Sequence, residues 1–158
     1  KIPLALILDN VRSMNNIGSI FRTADAFRVE SIALCGITAT PPNKEIHKTA
    51  LGATESVDWI YYEKTHSAIQ AFRKEGYTIC AVEQVEKGVM LDSIEINEEQ
   101  KFALIFGHEM KGIDQSIVDM SDQYIEIPQF GTKHSLNISV SAGIVIWEFF
   151  KAFSNRIT

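Results

Sequence analysis

Five short apolar runs punctuate the chain, at residues 4–8, 31–35, 77–82, 102–106 and 124–127. They are nearly continuous instead of alternating with polar residues, which suits strands covered on both faces. Between them, apolar residues recur every three or four positions. Ile17, Ile20, Phe21, Ala24 and Phe27 make one helical stripe, and Ile69 and Phe72 mark a second over residues 65–74. Ile138, Ala142, Val145, Phe149 and Phe153 make the longest stripe. Residues 45–51 predict a short helix ahead of Gly52, and Asp114 predicts the cap of another through Ile117 and Val118. Strands alternating with helices imply an α/β fold, a mostly parallel sheet with helices on both faces. Residues 57–61 fit a short strand or an irregular segment equally, and residues 83–100 are acidic and weakly patterned.

At 158 residues, 46% of them hydrophobic, the chain is expected to form one domain, 1–158, with ample material for a core. It starts at Lys1 without a Met, which leaves room for an N-terminal piece outside this sequence. No apolar run approaches the roughly 20 residues that cross a bilayer, so neither a membrane span nor a signal peptide is expected. Cys35 and Cys80 sit inside apolar runs, as buried thiols of a cytoplasmic protein do, and no metal-ligand spacing is present. A net charge of −5 argues against indiscriminate polyanion binding, although a local basic patch can operate on an acidic protein.

In parallel sheets ligands bind beyond the carboxyl ends of the strands. Three polar segments fall there, residues 9–16, 107–112 and 129–137, and they are expected to converge on one crevice. In the last of them Pro128 stops the strand, Gly131 permits a tight loop, and Ser135 is expected to cap the long helix. That helix is small on its other side, at Ser139, Ser141 and Gly143. A helical Gly costs roughly 0.5–1 kcal/mol relative to Ala, so a close approach is expected there. Several familiar chemistries fail. Residues 15–18 do not supply the glycines of a dinucleotide fold, and Ile113-Asp114 replaces the Lys and Ser/Thr of a phosphate loop. No Gly-x-Ser-x-Gly elbow exists, and the adjacent His134 and Ser135 are poorly placed to face each other beside Glu109.

Asn16 with Arg22, then Gly107-x-Glu109-x-x-Gly112, then Ile127-Pro128 through Ser135-Leu136-Asn137 resemble the three motifs of the SpoU (TrmH) family. These are 2′-O-ribose RNA methyltransferases of the SPOUT superfamily, and the resemblance runs from about Leu4 to Phe150. It implies a C-terminal trefoil knot, a homodimer, a structured RNA substrate (tRNA or rRNA), and S-adenosylmethionine held by backbone groups. The implied cofactor contacts are Gly107, Ile127 and Leu136, with a less secure one at Val82. Of the implied catalytic residues, Asn16, Asn137 and Ser135 would orient a ribose or phosphate. Arg22 would act on the 2′-hydroxyl, as base or, given a pKa above 12, as a phosphate anchor and stabiliser of developing alkoxide. Glu109 would position Asn16 or Arg22. One departure stands out: Gln129 follows the Ile-Pro pair where the family commonly has Met.

Each residue also has a plainer role. Asn15 and Asn16 can cap a helix, Arg22 can be solvated, and Glu109 can brace a loop. His108 and His134 read as loop residues. Arg12, Lys111 and Lys133 can meet phosphates or merely mark solvated surface. Two competing functions follow, a non-catalytic RNA-binding dimer of the same fold and an unrelated doubly wound enzyme that uses a nucleotide.

Overall fold

The computed structural model describes residues 1–85, 88–132 and 135–157, with Arg156 described by its backbone alone. Lys133 and His134 therefore lie outside the described residues. The chain runs β1 (Ile2–Asp9), α1 (Met14–Ala26), β2 (Val29–Cys35), α2 (Lys44–Ala50), β3 (Asp58–Tyr62) and α3 (Thr65–Lys74). It continues through β4 (Tyr77–Val82), β5 (Val89–Met90), β6 (Lys101–Phe106), α4 (Gln115–Met120), β7 (Gln123–Glu126) and α5 (Ile138–Phe153).

The strands form one sheet in the order β3-β2-β1-β6-β4-β7-β5, with parallel pairing throughout. Alternate residues of β1 feed two cores. Leu4, Leu6 and Leu8 pack with α1, α2 and α5 on one face, while Ala5 and Ile7 pack with α3 and α4 on the other. Such full burial stabilises by roughly 1.5–3 kcal/mol for each large aliphatic side chain. This double coverage is why the central runs are apolar without alternation.

The edges behave differently. β3 is exposed along most of its length, with Trp59, Ile60 and Tyr61 all in contact with solvent, so residues 57–61 carry no burial pattern to read. β5 is two residues long and adds itself to β7 inside the acidic segment. β7 stops at Glu126, one residue short of the apolar run.

Two local expectations are corrected. The cap of α5 is Asn137, whose Oδ1 accepts from the Ser139 amide at 2.9 Å, so Ser135 stays outside the helix and is exposed. An Asx side chain immediately ahead of the first helical turn is placed to take that amide, and Ser135 lies two residues too early. Among the described residues of one chain the close approach expected at Gly143 is not made, since a Cβ there would meet only Thr23 Cγ2, at 4.0 Å. The helix crossing that demands glycine is at Gly18 of α1, where a Cβ would collide with Thr49 Oγ1 and the Ile46 carbonyl of α2.

Candidate active site

All three polar segments meet at the carboxyl ends of the central strands. They line a cavity of about 570 Å³ together with the ends of β4 and β7. Strand order explains the meeting point. β1 leads outward to β2 and β3, whereas the later strands build the other half of the sheet, so the loops after β1 and β6 face each other across the reversal.

The loop after β6 is folded tightly on itself. His108 and Gly112 exchange backbone hydrogen bonds at 3.1 and 2.8 Å, and His108 Nδ1 accepts from the amides of Met110 and Lys111. Gly107 is required by this turn, because a Cβ there would lie 2.5 Å from Gly112 C and Ile113 N. Carboxylates then tie the loop to its neighbours. Glu109 accepts from the amides of Arg12 (3.0 Å) and Ser13 (2.9 Å), which fixes the loop after β1. Glu83, just past β4, accepts from the Ile113 amide at 2.8 Å. The Asp9 carboxylate accepts from the buried Thr65 hydroxyl at 2.5 Å and receives a longer contact from the Asp114 amide, 3.4 Å. Partial burial pushes the Glu109 carboxyl upward in pKa. The Ser13 and Arg12 amides and nearby His108 more than reverse it, so the group sits below its ordinary value.

Eight of the nine residues singled out in the sequence line this cavity: Asn16, Val82, Gly107, Glu109, Ile127, Ser135, Leu136 and Asn137. Arg22 does not. It lies on another face of α1, in a separate groove with Ser19, Phe27 and Lys48. The expected hydrogen bond from Glu109 to Asn16 or Arg22 is replaced by the two backbone amides just described, since the turn at residues 12–13 presents donors nearer the carboxylate. Asn137 spends Oδ1 on the helix cap, which leaves its NH₂ as the group it can offer a ligand. Gln129 also lines the cavity and makes that wall more polar.

Sequence reasoning missed Glu83, Gln84 and Glu126, which bring further polar groups to the same cavity. The available signal was position, because Glu83 follows the strand at residues 77–82 just as Asp9 closes the first one. Among the described residues no group of His, Cys, Asp and Glu has the makings of a metal site. Both thiols are buried and free, and burial pushes Cys35 and Cys80 up to about 12.

The model of the SpoU rRNA Methylase family matches residues 3–147. The chain belongs to that family. This SpoU chain is 34% identical over 143 residues to an uncharacterized tRNA/rRNA methyltransferase of Borreliella burgdorferi, spanning 90% of this chain and 61% of that protein. It is 31% identical over 146 residues to the 23S rRNA (guanosine-2′-O-)-methyltransferase of Neisseria meningitidis serogroup B, spanning 92% of this chain and 57% of that one. The SpoU chain therefore covers about three-fifths of the length of these curated relatives. Its fold is similar to that of an AdoMet-bound rRNA methyltransferase from Sinorhizobium meliloti, with a TM-score of 0.87 and 27% identity. That match covers 94% of this chain and 56% of the other.

Proposed function

We propose that residues 1–158 form one methyltransferase unit that transfers a methyl group from S-adenosylmethionine to a ribose 2′-hydroxyl of tRNA or rRNA. The observation that carries this reading is the meeting of all three motif segments in one cavity of a size suited to a cofactor. The 2′-O position follows the name of the Neisseria relative.

The lining fits the cofactor. Among the described lining residues Glu83, Glu109 and Glu126 outnumber one lysine, Lys111, a balance that favours a cationic ligand over a polyphosphate. Phe106, Ile125, Ile127, Leu136 and Ile138 supply apolar walls, and we assign the hold on the cofactor to backbone groups of Val82, Gly107, Ile127 and Leu136, all of which line the cavity. When bound, the sulfonium supplies the methyl group and departs as a neutral thioether. The chain's own task is then orientation, which in favourable cases accounts for roughly 7–11 kcal/mol of a barrier. Asn16, Ser135 and the Asn137 amide are assigned to the ribose and its phosphate. Glu109 holds residues 12 and 13, which lead into α1 and so place Asn16, and the proton displaced from the hydroxyl by the methyl group passes to solvent water.

Arg22 serves this chemistry from a second copy of the chain. Val140, Ile144 and Trp147 form an exposed apolar stripe on α5 that suits a homodimer. Phe27 both lines the Arg22 groove and packs 5.5 Å from Trp147, so Arg22 borders the surface a second copy would cover. The last loop also fits the threaded tail of a trefoil knot, since residues 135–137 share the cavity with the loop after β6. A cytoplasmic setting accords with an RNA substrate and free thiols. Among the described residues no helix is long and apolar enough to cross a membrane.

Tritiated methyl transfer to unmodified tRNA and rRNA, followed by alkaline hydrolysis, tests the reading. Ribose methylation leaves label in alkali-resistant dinucleotides, and label in ordinary mononucleotides would move the chemistry to the base. Calorimetry with S-adenosylhomocysteine separates the alternative, since a non-catalytic RNA-binding dimer has no affinity for it.

A further inference from the structure

A second recess, of about 430 Å³, adjoins the motif cavity. Arg12, Met14, Asn15 and Glu45 line its far side, and His108, Glu109 and Met110 form the wall the two spaces share. Its surface is mainly apolar, and it carries two thioether side chains that are open to solvent, Met14 at 39% and Met110 at 86% exposure. Thioethers are adaptable and pack well against aromatic rings. The position matters as much as the lining. In a ribonucleotide the base is carried on C1′, the neighbour of C2′. A ribose whose 2′-oxygen is presented in the motif cavity therefore needs room for its base immediately beside it.

We infer that this recess receives the base of the nucleotide being methylated, turned out of its stack in the RNA. The inference rests on the ribose reading above and adds where the base goes and which base is favoured. Met14 and Met110 give the base its apolar contacts. Arg12, exposed at the mouth, is available to a phosphate. Glu45 reads the edge. Its carboxylate only accepts hydrogen bonds, and its surface ion pair with Lys48 at 3.0 Å is weak competition. Guanine offers two adjacent donors, N1–H and the 2-amino group, whereas uracil offers one donor between two acceptors. The recess therefore prefers guanine.

The chain contains four methionines, Met14, Met90, Met110 and Met120. Protein labelled with ¹³C at the methionine methyls, titrated with guanosine and uridine 5′-monophosphates in the presence of S-adenosylhomocysteine, reads the recess directly. Guanosine monophosphate is expected to shift the Met14 and Met110 signals, leave Met90 and Met120 in place, and bind about tenfold tighter than the uridine nucleotide. Glu45→Gln should erase that preference without changing the affinity for S-adenosylhomocysteine. Three results overturn the inference: no shift at millimolar nucleotide, shifts spread over all four methionines, or shifts that appear only when S-adenosylhomocysteine is left out. Equal binding of both nucleotides, or a preference that survives Glu45→Gln, overturns the assignment of Glu45. Failure to bind S-adenosylhomocysteine at all, read by calorimetry without nucleotide, would instead strike the methyltransferase reading itself.

Discussion

The cavity wall built from residues 107–113 is fastened on both sides by carboxylates, whereas among the described residues of the wall built by the last loop, 130–132 and 135–137 lie exposed up to the cap of α5. In the first wall Glu109 grips two amides of the loop after β1, and Glu83 grips the Ile113 amide from the other side. In the second, Phe130 is 95% exposed, and Gly131, Thr132, Ser135, Leu136 and Asn137 are all exposed. The fixed wall keeps the β1 and β6 loops in register, which orientation of a substrate requires. The open wall leaves two apolar side chains, Phe130 and Leu136, and several polar ones exposed to meet a ligand. A carboxylate that accepts backbone amides is thus an architectural device here, and proximity to the cavity does not make it a base.

Substitutions should expose this contrast, beginning with the largest effect. Gly107→Ala forces a Cβ onto the backbone of Gly112 and Ile113, and should cost about 1–3 kcal/mol in urea unfolding and weaken S-adenosylhomocysteine binding as well. Glu109→Gln keeps one acceptor oxygen and turns an NH₂ toward the other amide, so one of the two charge-assisted bonds is lost and the other becomes neutral, which should cost about 1–2 kcal/mol near neutral pH. The pH dependence has a definite sign. The Glu109 pKa is lower in the folded chain than in the unfolded one, so its contribution is full above the unfolded value and is lost as pH falls through the folded one. The gap in unfolding free energy between wild type and Glu109→Gln should therefore close in acid.

Smaller effects belong to the open wall. Asn137→Ala removes the α5 cap and should cost about 0.5–1 kcal/mol, measured the same way. Phe130→Ala should leave stability within about 0.5 kcal/mol of wild type, because the ring is exposed. Hydrogen exchange offers a direct comparison. The amides of Ser13 and Ile113 should be protected, and those of residues 129–132 should exchange close to the rate of an open chain.

Where burial wrote the pattern, the sequence could be read almost to the residue. Thr65–Lys74 and Tyr77–Val82 have the bounds that their apolar spacing and Gly76 predict, because each buries one stripe or both faces. Asp58–Tyr62 could not be read, because an exposed edge strand has no buried face to impose periodicity. In the site, residue types and order brought eight positions to one cavity, yet hydrogen-bond partners were beyond reach. Glu109 joins backbone amides 96 and 97 positions away, and amides carry no signature in a sequence. Arg22 shows the same limit in another form. It lies six residues after Asn16 on α1, but its place on the helix turns it into a different groove.

The position of β6 between β1 and β4 has a consequence for how the chain comes together during synthesis. β1 finds β2 within thirty residues, but its other edge must wait for a partner that begins at Lys101. Until then, a nascent chain holding residues 1–100 presents an apolar strand edge down what will become its centre, with most of the motif cavity still unmade. Closure of that seam is a long-range event and should set the pace of refolding. Diluting the chain from denaturant should therefore show helix signal returning well before the tertiary signal of the completed sheet, and crowding at that stage should favour association through the waiting edge.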